Sequence, residues 1–134
     1  MKKYKLGVVG SRSFKDKNAM EEVLNEIIRE NGKPEKIVSG AAEGADKIAE
    51  YWAEDNNIST VIHEPEYDKY EAYERKYKPQ KERNSVIVND SDMLVAFWDM
   101  KSTGTKDTIK KAKKKGIRIY IYNTLENKIE KMNP

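Results

Sequence analysis

The stretch Leu6-Gly7-Val8-Val9-Gly10 is a short apolar run closed by a glycine, the pattern of a strand buried on both faces of a parallel sheet. Just downstream, Asn18 with Glu21 three residues on has the spacing of a capping box. Met20, Val23, Leu24, Ile27 and Ile28 then recur at helical spacing, and Gly32 with Pro34 ends that helix.

The same alternation continues outward. Lys36-Ile37-Val38-Ser39 predicts a second strand, and from Ala45 the positions Ile48, Ala49, Trp52 and Ala53 line one face of a second helix. Thr60-Val61-Ile62 is a third strand, closed by Pro65. Tyr67, Tyr70, Tyr73 and Tyr77 recur at three- and four-residue spacing up to Pro79 and read as a packing stripe. A further helical turn or two is expected over Glu82 to Asn89. Met93 to Trp98 is the clearest strand in the chain. A Lys-rich helix runs from about Thr105 to Lys115 and stops at Gly116, and Ile117 to Tyr122 is the last strand. This order predicts an α/β, Rossmann-like domain of three layers, with a mostly parallel five-stranded sheet and helices on both faces. Residues 1–122 form that single domain, and 123–134 read as a polar C-terminal tail with at most a frayed helix. In such sheets ligands lie beyond the carboxyl ends of the strands, where the strand order reverses.

The totals bound the function. With 134 residues there is room for one core. No cysteine is present, which excludes disulfide and thiolate chemistry, and an intracellular protein is the natural expectation. Met1 to Lys5 runs straight into the first strand without the apolar stretch of a signal peptide, and no run is long enough to span a membrane. A cytoplasmic location and no membrane partner are therefore expected. Net charge is +3, so no strong field for a polyanion is predicted. The 26 basic residues include only five arginines, the better bidentate phosphate ligands, so their positions matter.

Three glycine-containing turns fall at carboxyl ends of predicted strands. In Gly10-Ser11-Arg12-Ser13-Phe14, glycine permits a tight turn, the serines offer hydroxyls and Arg12 a charged fork; the plain alternative is an ordinary loop with a surface arginine. In Ser39-Gly40-Ala41-Ala42-Glu43-Gly44-Ala45-Asp46, small residues let backbone amides approach a ligand at a helix N-terminus. Equally, the glycines serve strand–helix packing and Asp46 caps the helix. Ser102-Thr103-Gly104-Thr105 opens the Lys-rich helix, with Ser102 or Thr103 as its cap in the plain reading. Their common place at one sheet edge is what favours a phosphate cradle. Arg83, in Glu82-Arg83-Asn84, precedes apolar Val86 to Val88, so it is either a ligand clamp or a surface arginine paired with a carboxylate.

Other chemistries find little support. Lys110, Lys111, Lys113, Lys114 and Lys115 read as a solvated helix face, and direct nucleic-acid binding is not expected. His63 is the only histidine and no carboxylates have metal-ligand spacing, so no metal and no cofactor are predicted. No P-loop or nucleophile-elbow motif occurs.

Taken in order, Gly10–Phe14, Ser39–Asp46, Arg83-Asn84, Ala96-Phe97-Trp98-Asp99 and Ser102–Thr105 resemble the SLOG superfamily, the Rossmann-like group that includes Lonely Guy phosphoribohydrolases and the DprA/Smf proteins. The likeness spans Lys5 to Tyr122 and is strongest to small stand-alone SLOG proteins of bacteria and phages. It implies a nucleotide or nucleotide-derived ligand, ADP-ribose-like or cyclic, across these loops, and a dimer or higher homo-oligomer. Arg83 aligns with the catalytic arginine of Lonely Guy enzymes. Their P-G-G-x-G-T motif, followed closely by glutamates, is here Lys101-Ser102-Thr103-Gly104-Thr105-Lys106-Asp107, which leaves Asp107 as the one candidate acid. Cleaving an N-glycosidic bond needs a carboxylate, so the resemblance carries binding further than hydrolysis.

Overall fold

The computed structural model describes residues 3–134; Met1 and Lys2, part of the N-terminal stretch considered for a leader, lie outside the described residues. Strands β1 (Lys5–Gly10), β2 (Lys36–Ser39), β3 (Ser59–Ile62), β4 (Met93–Trp98), β5 (Arg118–Asn123) and β6 (Lys128–Met132) alternate with helices α1 (Lys17–Asn31), α2 (Ala45–Asp55), α3 (Lys78–Asn89) and α4 (Thr103–Lys115). A single 3-10 turn, Ala72–Glu74, interrupts the connection from β3 to α3.

The six strands lie in the order β3-β2-β1-β4-β5-β6. The first five are parallel, and β6 runs antiparallel to β5. Successive residues of a strand point to opposite faces: Leu6, Val8, Val95 and Phe97 join one core with Met20, Leu24 and Ile27 of α1 and Ala49 and Ala53 of α2. Val9, Val38, Leu94 and Ala96 join the other with Ile87 of α3 and Ile109 and Ala112 of α4. The chain turns from one face to the other between β1 and β4, so the strand order reverses at the carboxyl ends of those two neighbours.

Four sequence expectations are corrected. Residues 123–134 are not a plain tail: Asn123 Oδ1 accepts the amides of Leu125 (2.9 Å) and Glu126 (3.2 Å), the chain turns back, and β6 adds a sixth strand whose Ile129 and Met132 reach opposite cores. The first helix begins one residue before Asn18, capped by Asp16, whose Oδ1 accepts from the Ala19 amide at 3.0 Å. The third helix starts well before Glu82, at Lys78, and Pro79 sits in its first turn, where its missing N–H costs nothing. The tyrosines of the preceding segment do not pack as a buried stripe, since Tyr67, Tyr73 and Tyr77 are all exposed.

Lys115, though exposed, is more than part of a solvated face. Its Nζ donates to the carbonyls of Val88 (2.9 Å), Asn89 (2.9 Å) and Ser91 (2.7 Å), closing the C-terminus of α3. Among the described residues no helix is long and apolar enough to cross a membrane.

Candidate functional site

At the β1/β4 switch point the structure joins the three glycine turns. Phe14 anchors the first of them, its ring 4.9 Å from Phe97 and 6.4 Å from Tyr122 between centroids. Gly10 lies so close beneath α2 that a Cβ there would fall 2.6 Å from the Ala45 Cβ. Ser11 is buried; its hydroxyl accepts from the Asp99 amide (3.1 Å) and shares a hydrogen bond with the Ser102 hydroxyl (3.0 Å). Asp99 gathers the third turn, its Oδ1 accepting the amides of Lys101 (2.9 Å) and Ser102 (2.7 Å). The Ser102 amide, with lesser help from Lys101 and the two serine hydroxyls, holds the Asp99 carboxyl below its ordinary value despite partial burial. The hydroxyl of Ser102 is thus committed to Asp99 and Ser11, and no side chain caps α4. α2 likewise starts at Gly44 without a side-chain cap, whereas α1 has one. Amides at uncapped helix starts, with the positive end of the dipole behind them, suit an anion.

The second turn is held from beneath. Asp46 is 4% exposed and its Oδ2 accepts the amides of Gly40 (3.1 Å) and Ala42 (3.2 Å), so it braces the turn instead of capping α2. Ser39 donates to Glu50 of α2 at 2.6 Å. Arg83 donates through Nη1 to the Gly40 carbonyl (2.7 Å) and through Nε to Asn84 Oδ1 (3.0 Å), and Asn84 Nδ2 reaches the Gly104 carbonyl at 3.4 Å. One arginine and one asparagine on α3 thereby tie the second turn to the first turn of α4. A Cβ on Gly40 would fall 2.6 Å from Arg83 Nη1, so the arginine's placement depends on that glycine.

Burial pushes the Asp46 carboxyl up to about 6, against the downward pull of the Ala42 amide, Arg83 and the Gly40 amide. The folded protein therefore holds this proton more tightly than the unfolded chain does. Its contribution to stability falls as pH rises from about 4 to about 6, by roughly 2–3 kcal/mol in all. Asp46→Asn keeps an oxygen for the two amides and removes the charge. Its stability relative to the parent should grow across that window in thermal unfolding from pH 4 to 7, and parallel profiles would contradict the assignment.

A cavity of about 760 Å³ opens over this edge. Gly10, Ser11, Arg12, Ser13, Asp46, Arg83, Asn84, Ser102, Thr103, Gly104, Thr105 and Asp107 line it; Ser39, Gly40, Ala41 and Gly44 stand behind as supports, with Ala42 reaching the wall in their place. The sequence reading misses Lys76, Tyr77, Gln80 and Lys81 beside α3, and Lys106 and Lys110 on α4. Once α3 is known to begin at Lys78, the spacing of Tyr77, Gln80, Lys81 and Asn84 puts them on one helix face. Six cations (Arg12, Lys76, Lys81, Arg83, Lys106, Lys110) line the cavity against two carboxylates, Asp46 and Asp107. Both acids are engaged, Asp46 by amides and Asp107 by Lys111 Nζ at 2.5 Å.

The sequence model of the "YspA, cpYpsA-related SLOG family" matches residues 5–70, which contain the first two turns. Gene 61 protein of Mycobacterium phage D29 is 28% identical over 118 residues, 84% of this chain and 90% of its own length. Among solved structures, DNA processing protein A (DprA) from Streptococcus pneumoniae superposes with a TM-score of 0.67 at 22% identity, a likeness of fold. It covers 89% of this chain, which spans 50% of the DprA chain. The family-model match over the first two turns and the shared fold over nearly all of the chain's length support a place in the SLOG superfamily.

Proposed function

We propose that the protein binds a phosphate-bearing nucleotide or nucleotide derivative, ADP-ribose-like or cyclic, in the β1/β4 cavity, and acts in the cytoplasm as a sensor or sequestering protein. SLOG membership suggests a nucleotide-related function. The observation that carries the finer reading is the cavity's charge: six cations face it, while both of its carboxylates are occupied by partners within the protein. Such a wall attracts a ligand with negative charge and offers it amides at the uncapped start of α4. Hydrolysis of an N-glycosidic bond needs a carboxylate to stabilise the oxocarbenium-like centre or activate water. Asp107, tied to Lys111, is poorly placed for that work, which favours binding over turnover.

Thermal unfolding against AMP, NAD, ADP-ribose, cyclic nucleotides and a short oligonucleotide tests this. A true ligand at 100 times its dissociation constant stabilises the fold by about 2.7 kcal/mol, and it should be recovered intact after incubation. The oligonucleotide belongs in the panel because the DprA structure is that of a DNA processing protein. A flat response to every compound would overturn the proposal. Asp107→Asn separates binder from enzyme: a binder keeps its affinity, whereas a hydrolase loses turnover steeply with affinity retained.

The protein is further proposed to work as a homo-oligomer, in keeping with its small size and its exposed aromatic side chains Tyr51, Tyr67, Tyr73 and Tyr77. Light scattering at micromolar concentration should give at least twice the 15.5 kDa chain mass; a clean monomer would refute it.

A further inference from the structure

The two edges of the sheet differ in how they are protected. β6 carries Lys128, Glu130 and Lys131, charges of the kind that discourage edge pairing. β3 at the other edge has none: it reads Ser59-Thr60-Val61-Ile62, with no proline, lysine or bulge. Ser59, Thr60 and Ile62 are exposed, Ile62 at 45%, although β3 is paired to β2 along its whole length. Its outer side is an open template for another strand.

Beside that edge runs one face of α2. Lys47, Tyr51 and Glu54 stand at i, i+4 and i+7 and, with Thr60 and Ile62, line a shallow groove. Tyr51 at the middle is 63% exposed. Lys47 has a loose contact of 3.7 Å with Glu50, and Glu54 is in no ion pair among the described residues. A cation at one end, an aromatic ring in the centre and an anion at the other end form a self-complementary pattern. A two-fold axis through the middle of β3 would run α2 antiparallel to its copy, bring ring to ring, and set each Lys47 against the other copy's Glu54.

We propose that the β3 edge and the Lys47–Tyr51–Glu54 face of α2 form an isologous interface with a second copy of this chain. β3 pairs antiparallel with β3 of that copy, so the two sheets become one. This rests on the homo-oligomer reading above and assigns it a surface made of α2 and β3, which ends five residues before the Tyr67–Tyr77 segment begins. Two-fold symmetry counts every substitution twice, which makes the charges testable although exposed ion pairs are individually weak.

The test is the dimer dissociation constant of the full chain, by sedimentation or light scattering over a dilution series. Lys47→Glu and Glu54→Lys should each weaken the dimer about tenfold, because each places like charges together twice. The double exchange Lys47→Glu with Glu54→Lys should restore affinity to near the parent value. Tyr51→Asp should weaken it roughly a hundredfold. All three positions are on the surface, so unchanged circular dichroism and melting of the diluted monomer will show that folding is intact. A stable dimer indifferent to these substitutions would overturn this interface and leave the oligomer reading standing with a different face, the tyrosine segment first. A parent protein that is monomeric at every concentration would overturn both.

Discussion

Gly44→Ala is expected to lower the unfolding free energy by about 3–4 kcal/mol, one of the largest effects of a single methyl group in this chain. Gly44 has φ +81° and ψ −126°, a backbone conformation that side-chain-bearing residues rarely adopt. A Cβ there would also fall 2.5 Å from the Ser11 carbonyl oxygen and 2.6 Å from that of Arg12. Both obstacles are backbone, so neither can swing aside, and the first two glycine turns would have to separate. Gly116→Ala is the control: φ is +83° there too, but nothing lies within 4 Å of the added carbon. It carries backbone strain alone and should cost about 1 kcal/mol. In melting experiments Gly44→Ala should fall by roughly 10–15 °C and Gly116→Ala by a few degrees. Equal shifts would mean that the contact between the turns is not tight.

Arg83→Ala should weaken binding of a phosphate-bearing nucleotide about ten- to a hundredfold, the worth of one charge-assisted hydrogen bond to the ligand. Burial draws the guanidinium below its ordinary value while Asp46 pulls the other way, and the group remains a cation. Gly40→Ala acts on the same group indirectly. The new Cβ would sit 2.6 Å from Arg83 Nη1 and 2.8 Å from its Cδ, and a long side chain can move where backbone cannot. The fold should therefore survive Gly40→Ala with binding reduced. Because both changes work through Arg83, the double variant should bind no worse than Arg83→Ala alone. Additive losses in calorimetric titration would show that Gly40 serves the ligand by a separate route, and unchanged binding in Arg83→Ala would move the site away from this edge.

Much of the architecture is legible in the residues because parallel strands must be apolar on both faces. Lys36–Ser39 and Met93–Trp98 coincide with β2 and β4 residue for residue, the first an apolar pair between polar ends and the second an unbroken apolar run. β6 is not legible: Lys128-Ile129-Glu130-Lys131-Met132 has no apolar alternation, and it becomes a strand through its ladder with β5 and the turn that Asn123 folds. The site divides the same way. Glycines and hydroxyls at strand ends mark the three turns, but composition cannot tell a side chain that faces ligand from one that holds the loop. Ser11 and Ser39 offer hydroxyls that a phosphate could use and Asp46 a polar side chain at the second turn, yet the structure commits all three to internal partners. The lysines of the cavity are hidden for another reason. Lys106 and Lys110 share a helix with Lys113 and Lys114, and only the packing of α4 against α3 decides which of them meet the cavity.

The most direct test of the central claim is an amide-resolved NMR titration with ADP. The β1/β4 site predicts saturable shifts concentrated at Gly10 to Ser13 and at Thr103 to Thr105, with the Arg83 side-chain Nε–H moving alongside them. No saturable shift at millimolar ADP, or shifts confined to the amino ends of the strands around Lys5, Lys36 and Asp92, would contradict it.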